Sequence, residues 1–412
     1  MGHSTSMTQQ RQLWSQRLHA FVETCDPGAA GLRGPALGMS GELSGLSCGV
    51  KDIIDVMGIP TRNGSDACRD TLPAKADAAV VAGLRDAGAR IVAKTVTTEF
   101  AFTDPTDCRN PYDLARSPGG SSSGSGAAVG AGIIDLALGT QTAGSLCRPA
   151  AYCGAVGLKP TFGVLPTAGV TPLAPSFDTV GVIARSVDLA AQSFRAMCPA
   201  PLPPACGDAA RCSAAALLFD ATAVPTPDAL AAFDAAGAAM SELAGPLRHP
   251  MMDIDIARVV SDHRVVMNSE AFAAHGHLLA DDRAAHLKPR FRAGLEAGKR
   301  TSAAEKEDAR GRLDAARADF WAGVAGFDVL LTLPVPEGAP LIGETTGFQD
   351  WLTPWTVFGG PLISLPWGLD SVGRPCAVML AGHPGADTEL LTIAAALEQE
   401  APPLPPPALP DC

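Results

Sequence analysis

The chain has 412 residues, 47% of them hydrophobic, with 31 basic against 43 acidic side chains and a net charge of −12. That length suits one large or two medium units, and a mean hydropathy of +0.15 supplies a sizeable core and argues against extensive disorder. A pI near 5.1 speaks against nucleic acid or an anionic membrane surface as a partner, and no run of 18 apolar residues free of Gly or charge is present to span a bilayer.

In chain order, residues 1–29 read as an N-terminal helical segment, whose opening MGHSTS fits native sequence or an added leader equally. No apolar stretch followed by a small-residue cleavage site occurs there, so no signal peptide is expected and the protein is read as cytoplasmic. Residues 47–57, SCGVKDIIDVM, predict a strand interrupted by Lys51-Asp52. ADAAVVAGLRDAGA (76–89) has helical spacing, with Val80, Val81, Leu84 and Ala87 on one side, and RIVAKTV (90–96) follows as a strand after Gly88. This strand–helix–strand order favours an α/β fold with a covered sheet.

SPGGSSSGSG (117–126) has the composition of a loop, and GAAVGAGIIDLALG (126–139) predicts a close-packed helix running into a strand. PAPLPPACGDAAR (199–211) is a Pro-rich connector that crosses a surface without dividing the chain, with a weaker break at 224–228. Residues 254–325 turn helical: Ser302 and Glu305 fit a capping box, and Ala309, Leu313, Ala316, Phe320 and Val324 form one apolar stripe. FDVLLTLPV (327–335) and GPLISLPWG (360–368) predict buried strands, and the Pro-rich tail 399–412 reads as a frayed end.

The eleven cysteines are scattered, odd in number and lack a C-x-x-C pair, which favours reduced thiols; Cys206 and Cys212 are close enough in sequence to bridge. No HExxH pattern occurs, and His275-Gly-His277 reads as a surface pair, so no metal site is expected.

Two Gly/Ser segments, 117–126 and GTQTAGSLCRPA (139–150), pose the chemical question. A serine hydroxyl needs a base, and no histidine lies between His19 and His249. Lys51, inside an apolar strand, is the alternative base, because burial favours its neutral amine. The competing reading is a lysine neutralised by Asp52 or Asp55. For 117–126 the alternatives are a flexible linker or a phosphate-cradling loop, although neither GxxxxGK[ST] nor GxGxxG is completed.

GVKDIIDVMGIPTRNGS (49–65), NPYDLARSPGGSSSGSGAAVGAG (110–132) and LALGTQTAGSLCRPAAYCGAVGLKPTFG (136–163) together resemble the amidase signature family, with weaker likeness over 30–395. The resemblance implies a single α/β domain over 30–398, a mixed central β-sheet flanked by α-helices. Within the family, the GTQT-x-GS-x-x-RPAAYCG pattern and the helical segment near 258–325 are most similar to malonamidase-type members.

The resemblance implies Ser145 as nucleophile and Ser121 as the serine that bridges it to Lys51, the base, with a cis peptide bond before Ser121. Backbone N–H groups of Thr142, Ala143, Gly144 and Ser145 become the oxyanion donors; many members have Gly where Ala143 stands, which leaves the loop shape open. Arg148, with Gly120, is the implied substrate-binding group and would hold a free carboxylate; the alternative is an arginine paired with a protein acid. Cys147 and Cys153 are read as packed small residues. No cofactor or metal is implied; the partner is a small amide, and a homodimer is common among similar enzymes. Alternatives are a urea-type hydrolase acting on allophanate or carboxybiuret, a glutaminase component of an amidotransferase complex, and a non-catalytic anion-binding protein. Residues from 254–300 and 340–360 are expected to line the pocket.

Overall fold

The structure, a computed structural model, describes residues 7–24, 41–200, 212–219, 223–280 and 282–408. Its strands are β1 (Phe21–Thr24), β2 (Ser47–Lys51), β3 (Arg90–Thr95), β4 (Leu136–Gln141), β5 (Val156–Lys159), β6 (Thr179–Ala184), β7 (Ala214–Ala216), β8 (Val329–Thr332), β9 (Leu362–Leu369) and β10 (Pro375–Gly382). They share one ten-stranded sheet in the order β1-β3-β2-β4-β6-β5-β9-β10-β8-β7. β2 runs parallel to β3 and β4, β7 runs parallel to β8, and the other neighbours are antiparallel. Because strands from before and after the Pro-rich connector enter the same sheet, the chain forms one mixed α/β domain, as the sequence suggested. The connector's residues 201–211, Cys25, Cys206, Cys412 and MGHSTS lie outside the described residues.

The helices are α1 (Met7–Leu18), α2 (Ala79–Asp86), α3 (Ser123–Gly130), α4 (Cys147–Tyr152), α5 (Val187–Met197), α6 (Pro227–Ala244), α7 (Ile256–His275), α8 (Pro289–Arg300), α9 (Ala303–Gly323), α10 (Thr353–Phe358) and α11 (Asp387–Glu398). α2 buries Val80, Val81 and Leu84, as its spacing predicts, and its chain then turns at Gly88 into β3. At the start of α9, Ser302 and Glu305 form the expected capping box, and Ala309, Leu313, Phe320 and Val324 are buried along its stripe. β4 and β6 are buried throughout, which explains their unbroken small and apolar sequences.

Several expectations need correction. The strand predicted over 47–57 ends at Lys51, where the N–H groups of Ile53 and Ile54 both fold back onto the Lys51 carbonyl. Residues 117–126, loop-like in composition, are buried throughout, and α3 starts within them at Ser123. Small residues are what permit this: a Cβ on Gly124 would stand 2.1 Å from the Ala20 carbonyl oxygen. His275 is buried, bonded to the Pro172 carbonyl at 2.6 Å, while His277 is exposed, so the two are not a surface pair. The tail is held against the fold as far as Pro405: Tyr112 donates its hydroxyl to the Pro405 carbonyl, and Leu404 packs beside Gly154.

Candidate active site

Lys51 closes β2, and Thr140 lies near the end of β4, the parallel neighbour of β2. Chain leaving the carboxyl ends of such strands forms the usual crevice for a ligand in an α/β sheet. From the far side, the segment before α3 brings in Ser121, and the segment between β4 and α4 brings in Ser145. The two Gly/Ser segments meet here, because the Ser122 N–H donates to the Ser145 carbonyl at 3.1 Å. The Gly120–Ser121 peptide bond is cis. Gly119 precedes it at φ +82°, a conformation that suits glycine, and a Cβ there would press on Tyr152.

Lys51 is fully buried, with Nζ 2.6 Å from Ser121 Oγ and 2.7 Å from Thr140 Oγ1. Neither carboxylate next to it in sequence is its partner. Asp52 pairs with Lys94 at 3.1 Å, and Asp55 accepts the Thr61 hydroxyl at 2.7 Å. Burial holds the Lys51 amine well below its ordinary pKa; the Asp178 carboxylate opposes this and the Arg148 guanidinium adds to it. A lysine in these surroundings can be neutral and accept a proton from a serine hydroxyl.

Asp178 is itself committed: it accepts the Thr142 hydroxyl at 2.6 Å and the N–H groups of Leu173 and Ala174 at 2.8 and 3.0 Å. Ser145 is 7% exposed and so keeps slight access from outside. Ala143 is absent from the left-handed residues of the described chain, so its methyl group introduces no strain into the loop. Cys147 and Cys153 are buried and their thiols held high, Cys147 at about 12, which makes both poor nucleophiles.

Arg148 is buried, and its Nη2 donates to the Gly120 carbonyl at 2.5 Å. Nε and Nη1 are also buried and have no partner among the described residues. Asp350, a carboxylate that acts on it electrostatically, is paired with Arg264 at 3.1 Å. The reading of Arg148 as half of an internal ion pair is therefore not what the structure contains.

Beside this site opens a cavity of about 530 Å³, lined among others by Met267, Asn268, Gly294, Thr346, Gly347 and Asp350. It touches the site through Thr346, whose Cγ2 would stand 2.8 Å from a Cβ on Gly120, and Gly347, which packs on the Arg148 side chain. The two stretches expected to line a pocket, 254–300 and 340–360, do so. Sequence reasoning missed Thr140, Asp178, Gln141, His263 and Thr356. The first and third stand inside the quoted GTQT motif, but the last two come from 121 and 213 residues away from the atoms they hold.

Known proteins resemble this chain in sequence and in fold. The Amidase family model matches residues 7–202. A glutamyl-tRNA(Gln) amidotransferase component from Anaeromyxobacter sp. (strain K) is 32% identical, over 90% of this chain and 85% of its own. A 1-carboxybiuret hydrolase component from Pseudomonas sp. (strain ADP) is 43% identical over 40% of this chain and 37% of its own. Each of these two is named as one subunit of its enzyme. A solved amidase structure superposes with a TM-score of 0.85 at 27% identity, covering 95% of this chain and 94% of the other. The relatives named here lend the malonamidase likeness no specific support. With the family model, the Anaeromyxobacter relative over most of its length and the amidase structure over 95% of this chain in agreement, the chain belongs to the amidase signature family of C–N hydrolases.

Proposed function

We propose that the protein hydrolyses the C–N bond of a small, carboxylate-bearing amide through an acyl-enzyme on Ser145, releasing ammonia. The observation that carries the mechanism is Lys51, buried against the hydroxyls of Ser121 and Thr140 with no carboxylate partner among the described residues. Neutral Lys51 takes the Ser121 proton as Ser121 takes that of Ser145, and Ser145 Oγ attacks the amide carbonyl. The negative oxygen of the tetrahedral intermediate lies against the N–H groups of Thr142, Ala143, Gly144 and Ser145. The proton returns through Ser121 to the nitrogen, ammonia leaves, and water cleaves the ester by the same relay.

Arg148 supports the acidic substrate class. Its Nε and Nη1 have no partner among the described residues, so each has an N–H for a charge-assisted bond to a substrate carboxylate while Nη2 stays on the Gly120 carbonyl. A malonamate-like acid fits this reading. So does an N-carboxylated urea of the kind named for the Pseudomonas relative, which carries the same group. Glutamine is the substrate expected if the chain works within a larger complex, as the Anaeromyxobacter relative's name describes that protein.

Ammonia release from malonamate, its neutral diamide, allophanate, glutamine and a bulky aryl amide, with Ser145→Ala as blank, tests the proposal. The expected result is turnover of one acid-bearing amide well above the neutral diamide, and none by the blank. Preference for the neutral or aryl amides overturns the carboxylate role of Arg148, and an active blank overturns the mechanism. Glutamine hydrolysis that rises on adding a second protein favours the reading as part of a complex.

A further inference from the structure

The acyl-enzyme reading leaves open what aims the loop N–H groups at the oxyanion, and the carbonyls of that loop give an answer. Each one is held. The Thr142 carbonyl accepts from His263 Nε2 at 2.8 Å, and the Ala143 carbonyl accepts the Thr356 hydroxyl. The Gly144 carbonyl accepts the Arg148 N–H at 3.2 Å, and the Ser145 carbonyl accepts the Ser122 N–H at 3.1 Å. In a planar trans peptide the C=O of one residue and the N–H of the next point in opposite directions. Anchoring the Thr142 carbonyl therefore turns the Ala143 N–H the other way, and anchoring the Ala143 carbonyl does the same for Gly144.

Two of these anchors are backbone, and two are side chains brought in from α7 and α10. We propose that His263 and Thr356 are positioning residues for the reaction, which orient the Ala143 and Gly144 N–H groups by holding the carbonyls behind them. This rests on the acyl-enzyme reading and deepens it.

Both side chains are built for a fixed role. His263 is 2% exposed and packs against Phe177 in a tilted ring pair, 4.4 Å between centroids. Burial brings its pKa down to about 4, so near pH 7 it is a neutral ring, and a carbonyl partner requires the proton on Nε2. Thr356 is 4% exposed and accepts from Gln141 Nε2 at 3.0 Å, which leaves its own proton for the Ala143 carbonyl. The same Gln141 takes the N–H groups of Leu146 and Cys147 through Oε1, both at 3.1 Å, so the brace grips the loop on both sides of Ser145.

The test compares variants that lose the donor with variants that keep it. His263→Phe preserves the ring against Phe177 and Thr356→Val preserves shape, but neither can donate; His263→Gln and Thr356→Ser can. With the amide turned over fastest in the panel above, H263F and T356V should each lower kcat about 10- to 100-fold, with KM within about twofold. Inhibition by a short alkylboronic acid, whose serine adduct places a negative oxygen against the same N–H groups, should weaken by a similar factor. H263Q and T356S should stay within about threefold of the parent on both readouts.

Full kcat in H263F and T356V overturns the proposal. So does an H263Q or T356S as impaired as its apolar counterpart at equal melting temperature, because packing and not the donor would then matter. Ser145→Ala in the same assay separates the two levels. If S145A is inactive while H263F and T356V are fully active, only the positioning roles fall; an active S145A removes the acyl-enzyme and this proposal together.

Discussion

Lys51 and Lys94 stand on neighbouring parallel strands, β2 and β3, and both are fully buried, yet their surroundings are opposite. Lys94 meets Asp52 at 3.1 Å, the Ile54 carbonyl at 2.8 Å and the Thr61 hydroxyl at 3.0 Å. Lys51 meets two hydroxyls and, among the described residues, nothing charged within bonding distance. Depth is the same, so the choice of partner sets the role. A buried ammonium with a carboxylate and a carbonyl is held as a cation that ties the turn after β2 together. A buried amine given only hydroxyls gains little from its charge and favours its neutral form, the form the proposed mechanism uses as base. Asp52 makes the difference: it turns from its sequence neighbour Lys51 to Lys94.

Exchanging each lysine for methionine should separate the two roles. Lys51→Met is expected to lower kcat at least about 10⁴-fold, the scale of losing one member of a concerted nucleophilic unit, with melting temperature unchanged or raised. Lys94→Met should do the reverse. It strands Asp52 without its cation and should cost about 3–5 kcal/mol in a denaturant titration, with the catalytic rate of the surviving folded fraction much less affected. An active K51M, or a K94M as stable as the parent, would erase the contrast.

Arg148 extends the comparison to a third buried cation, one that meets a carbonyl and whose Nε and Nη1 have no partner among the described residues. Arg148→Met should lower turnover of an acid-bearing amide relative to its neutral diamide by about 10- to 100-fold, the loss of charge-assisted bonds to substrate. The ratio is the useful readout, because release of the Gly120 carbonyl should slow both substrates. An unchanged ratio would make Arg148 purely a brace for the Gly120–Ser121 bond.

A pH titration sharpens the Lys51 side. Its folded pKa lies well below 10.5, so kcat/KM should rise with pH through that folded value and then level off as the neutral base accumulates. Between the folded value and 10.5 the unfolded chain binds a proton that the folded chain does not. The parent should therefore gain stability relative to K51M as pH rises through that window, by up to about 1.4 kcal/mol per pH unit. Lys159, brought down to about 8 by burial, contributes in the same direction but cancels in the difference. A flat difference between parent and K51M would mean that Lys51 carries its proton in the folded state.

These contrasts also mark how far the sequence could be read. The apolar spacing of α2, the capping box of α9 and the buried runs of β8 and β9 were legible because local periodicity determines them. Lys51, Ser121 and Ser145 could be singled out because their motifs are long. What was not legible depends on distant partners. Whether Asp52 faces Lys51 or Lys94 is settled by the turn at Ile53 and Ile54, and the strand predicted to run through 57 concealed that turn. The burial of 117–126 is set by Ala20 and Pro149 pressing on its glycines, which composition alone cannot show. His263 lies in no motif of the sequence, and only the packing of α7 sets it on the Thr142 carbonyl.

The smallest expected effect lies at Ala143, the one departure noted in the loop motif. If the loop needed glycine's freedom there, Ala143→Gly should raise turnover. The structure argues otherwise: Ala143 adopts an ordinary φ, and its carbonyl is already held by Thr356. A143G should leave kcat within about threefold and lower stability by about 0.4–1 kcal/mol, because glycine widens the unfolded ensemble without relieving any strain in the folded loop. A tenfold faster A143G would mean that the methyl group obstructs the oxyanion. The anchoring carbonyls would then be holding the loop slightly short of its best geometry, and the contrast between braced and reactive groups drawn for the lysines would not extend to the backbone.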